Sequence, residues 1–298
     1  MSSVHDELNK ILMVEQLPAM PHSALSVLQL DNDVAKVNIN DLVRPIEADI
    51  GLAAQVLKFL NSSYFGFQSA ISNVKQGIAL VGIRIVKNFV LWKAVFSLIP
   101  KSKSGSFDVT MLWQDSLRRA MFARFLLLEL KKGDPEMAFA GALLQDMAIP
   151  LLLKRMTNEY GSVLEQLAQS PHTHLSMLET QTFGWNHADA GAVLGQNWKL
   201  PTPLISLIEN HLKIEEYANN FEQYPEQTVV SLSALLPSVV ESDWNERADF
   251  DKFFRQIFHD KANLLTNIFD KVDREFEQYA MIIQITKPKK TLFSYADE

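Results

Sequence analysis

Residues 138–153 read AFAGALLQDMAIPLLL, and within this apolar stretch only Gln145 and Asp146 carry polar side chains. Burying an ionised carboxylate is costly unless it is paired, hydrogen-bonded or bound to a metal ion. An amide beside a carboxylate at the centre of such a run therefore indicates a functional site, or what remains of one.

The size and composition of the chain predict a folded protein with a substantial core. It has 298 residues, of which 47% are hydrophobic and 10% aromatic, enough for one large domain or two ordinary ones. The net charge of −7 argues against a general nucleic-acid-binding protein, which usually carries a basic face. The absence of cysteine excludes disulfides, thiol chemistry and thiolate metal sites.

Two features of the sequence predict a cytoplasmic protein that does not enter a membrane. The N-terminal residues MSSVHDELNKIL lack the basic region and the uninterrupted apolar stretch of a signal peptide. The apolar run at 138–153 is shorter than a membrane span and is interrupted by Asp146 and Pro150.

Apolar residues recur every three or four positions along most of the chain, which predicts an all-α fold. Asp134-Pro135 resembles an N-cap followed by a proline in the first turn, so it predicts the start of a helix that contains Gln145. Pro150 is expected to end or kink that helix, because proline disfavours helical geometry at the residue before it. Lys131, Lys132 and Gly133 are expected to end the helix before it.

Two polar segments predict a division of the chain into three parts. KSKSGS at 101–106 and NNFEQYPEQ at 219–227 separate helical parts at 1–100, 107–212 and 228–285. The last part carries an aromatic stripe at helical spacing, from Phe250 to Val272. We expect this stripe to pack on the core of the protein, leaving the opposite charged side of the extension to face a partner.

A series of motifs, taken in order, resembles the HDOD (HD-related output domain) family over roughly residues 10–212. The motifs are LPAMP (17–21), EADIGLAAQVLKFLNSSYFG (47–66), VKQGIALVGIRIVKNFVL (74–91), LWQDS (112–116), AGALLQDMAIPLL (140–152), GWNHADAGAVLGQNWKLP (184–201) and the helix ending in His211. The resemblance implies an HD-domain/phosphodiesterase-like helical domain with an N-terminal helical bundle, here followed by a C-terminal helical extension.

The chain departs from an active HD enzyme at the residues that would bind metal. The resemblance implies a relic metal or ligand site at Asp115, Gln145, Asp146, His187 and His211. An active enzyme would carry histidine in place of Gln145, and family members often carry histidine in place of Asp115. Because glutamine is a poor ligand for divalent ions, we expect no catalytic residue and no cofactor, with weak binding of a divalent metal as the alternative.

The residues of this relic site also have purely structural interpretations. Asp146 could pair with Arg118 or Arg119 and act as a buried link between helices. His187 could form hydrogen bonds at the start of a helix, and His211 could sit at a helix C-terminus, where a positive charge is favourable.

The resemblance implies a non-catalytic regulatory module of bacterial signal transduction that acts through signalling proteins or a bound small ligand. Two alternatives stay open at this point. One is a metal-dependent phosphohydrolase of the HD type with a degenerate metal site, and the other is a nucleotide-binding sensor that uses the old catalytic pocket.

Overall fold

Helices provide nearly all of the regular structure of this chain. The structure, a computed structural model, describes residues 4–30, 36–99, 103–104, 107–170, 173–241, 243–259, 262–283 and 285–296. Over those ranges the all-α prediction is confirmed. The other regular elements there are short 3₁₀ turns and two antiparallel two-residue strands, β1 (Lys103–Ser104) and β2 (Phe107–Asp108). The rest of the segment at 101–106 lies outside the described residues.

The N-terminal part is built from helices around buried aliphatic and aromatic side chains, and all but the first of them pack on one another. The helices are α1 (Val4–Ile11), α2 (His22–Leu28), α3 (Ile39–Glu47), α4 (Ile50–Leu60), α5 (Val74–Val81) and α6 (Ile83–Leu98). Asp49 separates α3 from α4 because its carboxylate accepts a hydrogen bond from the backbone N–H of Leu52 and caps the second helix. In the core, the rings of Phe59 and Phe89 stack at 4.2 Å.

Two helices with predicted ends form the centre of the molecule. The first, α7 (Val109–Leu130), ends where Lys131 adopts a left-handed conformation, as the sequence predicts. The second, α8 (Pro135–Leu144), packs along α7 and begins after Asp134, which accepts hydrogen bonds from two backbone N–H groups. The predicted cap and first-turn proline are therefore confirmed.

The end of α8 differs from the prediction. The helix stops at Leu144, residues 145–148 form turns, and Pro150 lies in the first turn of the next helix, α9 (Ile149–Arg155). The prediction that Gln145 lies inside the helix was wrong, and of the two predicted effects of Pro150 the structure shows an interruption of the helical run at 145–148, before the proline, rather than an end at it. In a continuous helix the Pro150 ring would clash with the carbonyl of Asp146, whereas a first-turn proline loses no hydrogen bond.

The helices that follow bring both histidines toward this turn. They are α10 (Thr157–Gln169), α11 (Leu175–Phe183), α12 (His187–Asn197) and α13 (Thr202–Asn210). A capping box between Asn186 and Asp189 fixes the start of α12. Gly191 then lets α12 and α13 approach closely, since a β-carbon there would lie 2.7 Å from Ile208 Cγ2.

Among the C-terminal helices, the second and fourth pack on α7, and the others pack on these two. The C-terminal helices are α14 (Ile214–Tyr217), α15 (Pro225–Ala234), α16 (Arg247–Phe258), α17 (Ala262–Ile283) and α18 (Phe293–Ala296). Phe250 of the aromatic stripe is fully buried, with its ring 5.9 Å from that of Phe122 on α7. The stripe thus packs on the core, while the division of the chain into three parts stays a prediction.

One stretch, Pro135–Arg155, is long and apolar enough to cross a membrane by length and composition alone. It comprises α8, the turn and α9, and most of it is buried inside the fold. Its apolar character is accounted for by its place in the core.

Candidate functional site

Three of the predicted site residues meet at one point. Asp146 comes from the turn after α8, His187 opens α12, and His211 follows the last residue of α13. Asp146 Oδ1 lies 3.4 Å from His187 Nε2 and 3.6 Å from His211 Nε2, and the two Nε2 atoms are 3.2 Å apart. All three residues are buried.

This triangle has the dimensions of a face of a metal site. Ligand atoms about 2.1 Å from one tetrahedral ion lie about 3.4 Å from one another. The other ring nitrogen of each histidine is also held as in metal proteins: His187 Nδ1 donates to Glu179 Oε2 at 2.6 Å, and His211 Nδ1 donates to the Ile208 carbonyl at 2.6 Å. Asp146, His187 and His211 could therefore hold one divalent cation through three ligand atoms.

A positive charge supplied by the protein already lies against this triangle. The Arg119 guanidinium on α7 forms an ion pair with Asp146 Oδ2, and both side chains are largely buried. Burial alone would lower the pKa of Arg119, but the carboxylates of Asp146 and Asp115 outweigh it and raise that pKa. The guanidinium is therefore always charged, and it neutralises Asp146.

The histidine pair requires a proton between its two Nε2 atoms. Both Nδ1 atoms donate to oxygen acceptors, so two neutral rings would set one Nε2 lone pair against the other at 3.2 Å. Burial lowers the pKa of His187, but the Glu179 carboxylate outweighs it and raises that pKa. Burial and the neighbouring His187 together lower the pKa of His211 to about 4. His187 therefore carries the proton and donates it toward His211.

Asp146 is ionised within this arrangement. Burial raises the pKa of its carboxyl group, but Arg119 and the two histidines outweigh burial, and the net shift is downward. The Asp146 carboxylate thus contacts the Arg119 guanidinium through one oxygen and both imidazoles through the other, and one proton lies between the two Nε2 atoms.

Gln145 lies beside this centre but contributes little to it. The residue is fully buried, and neither polar atom of its amide makes a hydrogen bond of good geometry. The amide favours the charged form of Asp146 only weakly, after Arg119 and both histidines. A buried amide without good partners is unusual in a folded protein.

Asp115 does not join the three residues. Its Oδ1 accepts a hydrogen bond of 2.8 Å from the backbone N–H of Val239, and its Oδ2 accepts one of 2.5 Å from the Ser238 hydroxyl. Burial raises the pKa of Asp115, against the opposing charge of Arg119. Asp115 therefore acts on the centre through Arg119, which follows it by one helical turn.

The comparison with protein-family models decides the family. The model of the HDOD domain matches residues 17–214, about two thirds of the chain. The chain belongs to the HDOD domain family. The resemblance seen in the motifs is confirmed, with nearly the same boundaries.

Similar proteins and structures agree with an HDOD fold. An uncharacterized protein of Treponema pallidum is 27% identical over 220 residues, which cover 68% of this chain and 40% of that protein. A crystal structure of a candidate signal transduction protein from Marinobacter aquaeolei has a TM-score of 0.70 and 18% identity, covering 94% of this chain and 66% of that one. A candidate phosphohydrolase from Shewanella amazonensis has a TM-score of 0.61 and 19% identity, covering 96% and 92%.

These structural likenesses, at such low identity, show the fold alone. They confirm the HD/phosphohydrolase-like helical class of this HDOD chain. The chain spans less than half the length of the curated relatives it matches.

Sequence reasoning missed two residues that shape the HDOD centre. Glu179, in the middle of α11, accepts hydrogen bonds from both the Nδ1 atom and the backbone N–H of His187. The Tyr160 hydroxyl on α10 donates to the other oxygen of Glu179. The sequence offered one signal for Glu179, an acidic residue eight positions before His187. No spacing pattern in the sequence connects Tyr160 with Glu179.

The residues of the HDOD centre are buried, with Asp146, His187 and His211 each less than 5% exposed. Neither of the two described surface cavities is lined by a residue of the centre. One cavity lies between α6 and α8, and the other lies beside the loop at 61–70. A substrate of ordinary size would need a rearrangement of the protein to reach Asp146.

Proposed function

We propose that this chain is a non-catalytic regulatory module of bacterial signal transduction that works in the cytoplasm through protein partners or a bound small ligand. The observation that carries the proposal is the buried ion pair between Arg119 and Asp146. It places a fixed cation on the carboxylate that a hydrolase of this fold would use to hold a metal ion.

The chemistry of metal-assisted hydrolysis supports this view. Such a site needs an ion with an open coordination position that lowers the pKa of a bound water. Here one oxygen of Asp146 is engaged by Arg119, and the Nε2 atoms of His187 and His211 lie 3.2 Å apart with a proton between them. A metal ion would have to displace that proton and overcome the charge of Arg119. Gln145 would bring no charge to help it.

The burial of the centre supports the same conclusion. Asp146, His187 and His211 are each less than 5% exposed. Buried charges that satisfy one another hold helices in fixed positions, and here they join α7, the turn after α8, α12 and α13. We infer that the old catalytic centre now serves as a structural connection between these helices.

A second candidate is a weakly active metal-dependent phosphohydrolase, which the spacing of the Asp146, His187 and His211 ligand atoms favours. When bound, a divalent ion would supply Lewis-acid activation of a phosphate or a water. The protein would supply Glu179 and the Ile208 carbonyl to orient the two imidazoles.

The two candidates are separated by an activity assay. The full chain is incubated with cyclic dinucleotides, cyclic mononucleotides and an aryl phosphodiester in the presence of Mn²⁺, Mg²⁺ or Fe²⁺. Asp146→Ala serves as the background. We expect turnover no higher than that of Asp146→Ala. Metal-dependent turnover that Asp146→Ala abolishes would reject the non-catalytic proposal.

A further inference from the structure

Residues 285–296, here called the C-terminal strap, fill a groove on the surface of α7, α16 and α17. Most of the strap before α18 has no regular secondary structure. The side chains of Leu292 and Tyr295 are nevertheless fully buried. The strap is therefore held against the core by contacts outside helices and sheets.

Core side chains bind the strap mainly through its backbone. Gln114 Nε2 donates to the Thr286 carbonyl at 2.6 Å, and an Arg118 nitrogen donates to the Lys290 carbonyl at 2.7 Å. Farther along the strap, Arg247 donates to the Tyr295 carbonyl at 2.9 Å.

Strap N–H groups are recognised in the same way. The two oxygens of Asp273 on α17 accept hydrogen bonds from the backbone N–H groups of Leu292 and Phe293, at 3.0 and 2.8 Å. These contacts do not depend on the side chains of the strap. Selectivity comes chiefly from the two buried anchors, an aliphatic residue and an aromatic residue three positions later, with smaller contributions from the contacts of Thr286 Oγ1 with Gln114 and of Lys287 with Glu277.

This combination of backbone hydrogen bonds and a few buried side chains is typical of grooves that bind peptides. In such grooves main-chain hydrogen bonds supply affinity and pockets for a few side chains supply specificity. A strap held in this way in the same chain behaves as an intramolecular ligand, present at a high effective concentration.

The groove is also connected to the buried centre through α7. Gln114 and Arg118 lie one turn apart and contact the strap, while Asp115 and Arg119, also one turn apart, point to the neighbouring face and the centre. Arg118 is almost fully buried beneath the strap, so losing the strap would uncover a charge adjacent to Arg119.

We propose that this groove is a binding site for a segment of a partner protein, one that, like the strap, runs into a helical turn and carries an aliphatic residue and an aromatic residue three positions apart. The strap is its resident occupant and must leave for the partner to bind. This inference rests on the proposed function, because it names the kind of partner through which the regulatory module would act.

The test uses a fluorescent peptide with the sequence of residues 285–296 and fluorescence anisotropy. In the full chain, Leu292→Ala/Tyr295→Ala removes both anchors of the strap and should free the groove. This variant is expected to bind the peptide at least about tenfold more tightly than the unmodified chain, whose own strap competes. A peptide with the same two substitutions is the control and should not bind.

A matched variant controls for changes to the strap that spare the anchors. Phe293→Ala/Ser294→Ala alters two neighbouring strap residues, of which Phe293 is exposed. It should bind the peptide as weakly as the unmodified chain. Equal binding by this variant and the anchor variant would contradict the proposal.

A second preparation keeps the proposal testable if the anchor variant unfolds. A protease site inserted at residue 284 is cleaved after the otherwise unmodified chain has folded, and the labelled peptide is then added. Exchange of the peptide into the groove would support the proposal. Absence of peptide binding to the cleaved, folded chain would overturn it. That failure would leave the turnover assay of the proposed function unaffected.

Discussion

Asp146→Ala removes a carboxylate that contacts Arg119, His187 and His211 at once. The Arg119 guanidinium is largely buried, so water cannot solvate its charge in place of the Asp146 carboxylate. The histidines keep their bonds to Glu179 and to the Ile208 carbonyl, and they are affected less.

The size of the effect follows from these contacts. Breaking a buried ion pair by removing one partner costs about 3–5 kcal/mol, because the remaining charge stays buried. Asp115 still compensates part of the Arg119 charge, so we expect the lower end, about 3 kcal/mol. For a urea m value near 3 kcal/mol/M, the unfolding midpoint should fall by about 1 M.

Urea unfolding of the full chain, followed by circular dichroism, measures this change. Asp270→Ala is the matched control, since Asp270 pairs with Arg274 on the exposed side of α17. Exposed pairs contribute about 0–1 kcal/mol, so the control midpoint should hardly move. A midpoint of Asp146→Ala equal to or above that of the unmodified chain would refute the reasoning, because Asp146 would then have no stabilising partner.

Further predictions concern the histidines and the packing of their helices. In the presence of a chelator, the free energy of unfolding should fall as the pH is lowered from about 6.5 to about 4, because His211 binds a proton in the unfolded chain but not in the folded chain over that range. His211→Gln should remove up to about 1.4 kcal/mol per pH unit of that slope. An unchanged slope would count against the lowered pKa of His211. Glu179→Gln should lower the pKa of His187 in an NMR titration of its ring, and an unshifted pKa would show that Glu179 does not hold the proton there. Gly191→Ala should destabilise the chain by about 1–3 kcal/mol in urea unfolding, because its β-carbon would overlap α13. The control Gly161→Ala, on α10 with open space around it, should stabilise the chain by up to about 1 kcal/mol. Equal effects of the two substitutions would contradict the close packing of α12 on α13.

Local sequence signals predicted the elements that depend on local chemistry. The start of α8 at Asp134-Pro135 and the end of α7 at Lys131 follow from capping and proline geometry, and both are confirmed. The break after Leu144 was misplaced because Pro150 was expected to end or kink the helix at the residue before it. A proline marks either the end of one helix or the first turn of the next, and the sequence alone does not distinguish them.

Only those features of the candidate site that depend on residues close together in the sequence could be predicted. Arg118 and Arg119 were equal candidates to pair with Asp146, since neighbouring helix residues differ by about 100° in direction and only the packing of α7 decides between them. The structure turns Arg118 toward the strap and Arg119 toward Asp146.

Contacts between residues that are far apart in the sequence could not be predicted. Asp115 is held by residues more than a hundred positions away, at Ser238 and Val239. Tyr160 likewise meets Glu179 only through the packing of α10 against α11. Such contacts leave no spacing pattern in a single sequence.

Manganese binding most directly tests the central claim that Arg119 holds this centre in place of a metal ion. Binding is measured by electron paramagnetic resonance on the unmodified chain and on Arg119→Gln/Gln145→His, which removes the resident cation and supplies the missing histidine. We expect the unmodified chain to bind no manganese at micromolar concentration and the folded double variant to bind one ion per chain. Tight binding of one manganese ion by the unmodified chain, lost in Asp146→Ala, would contradict the claim.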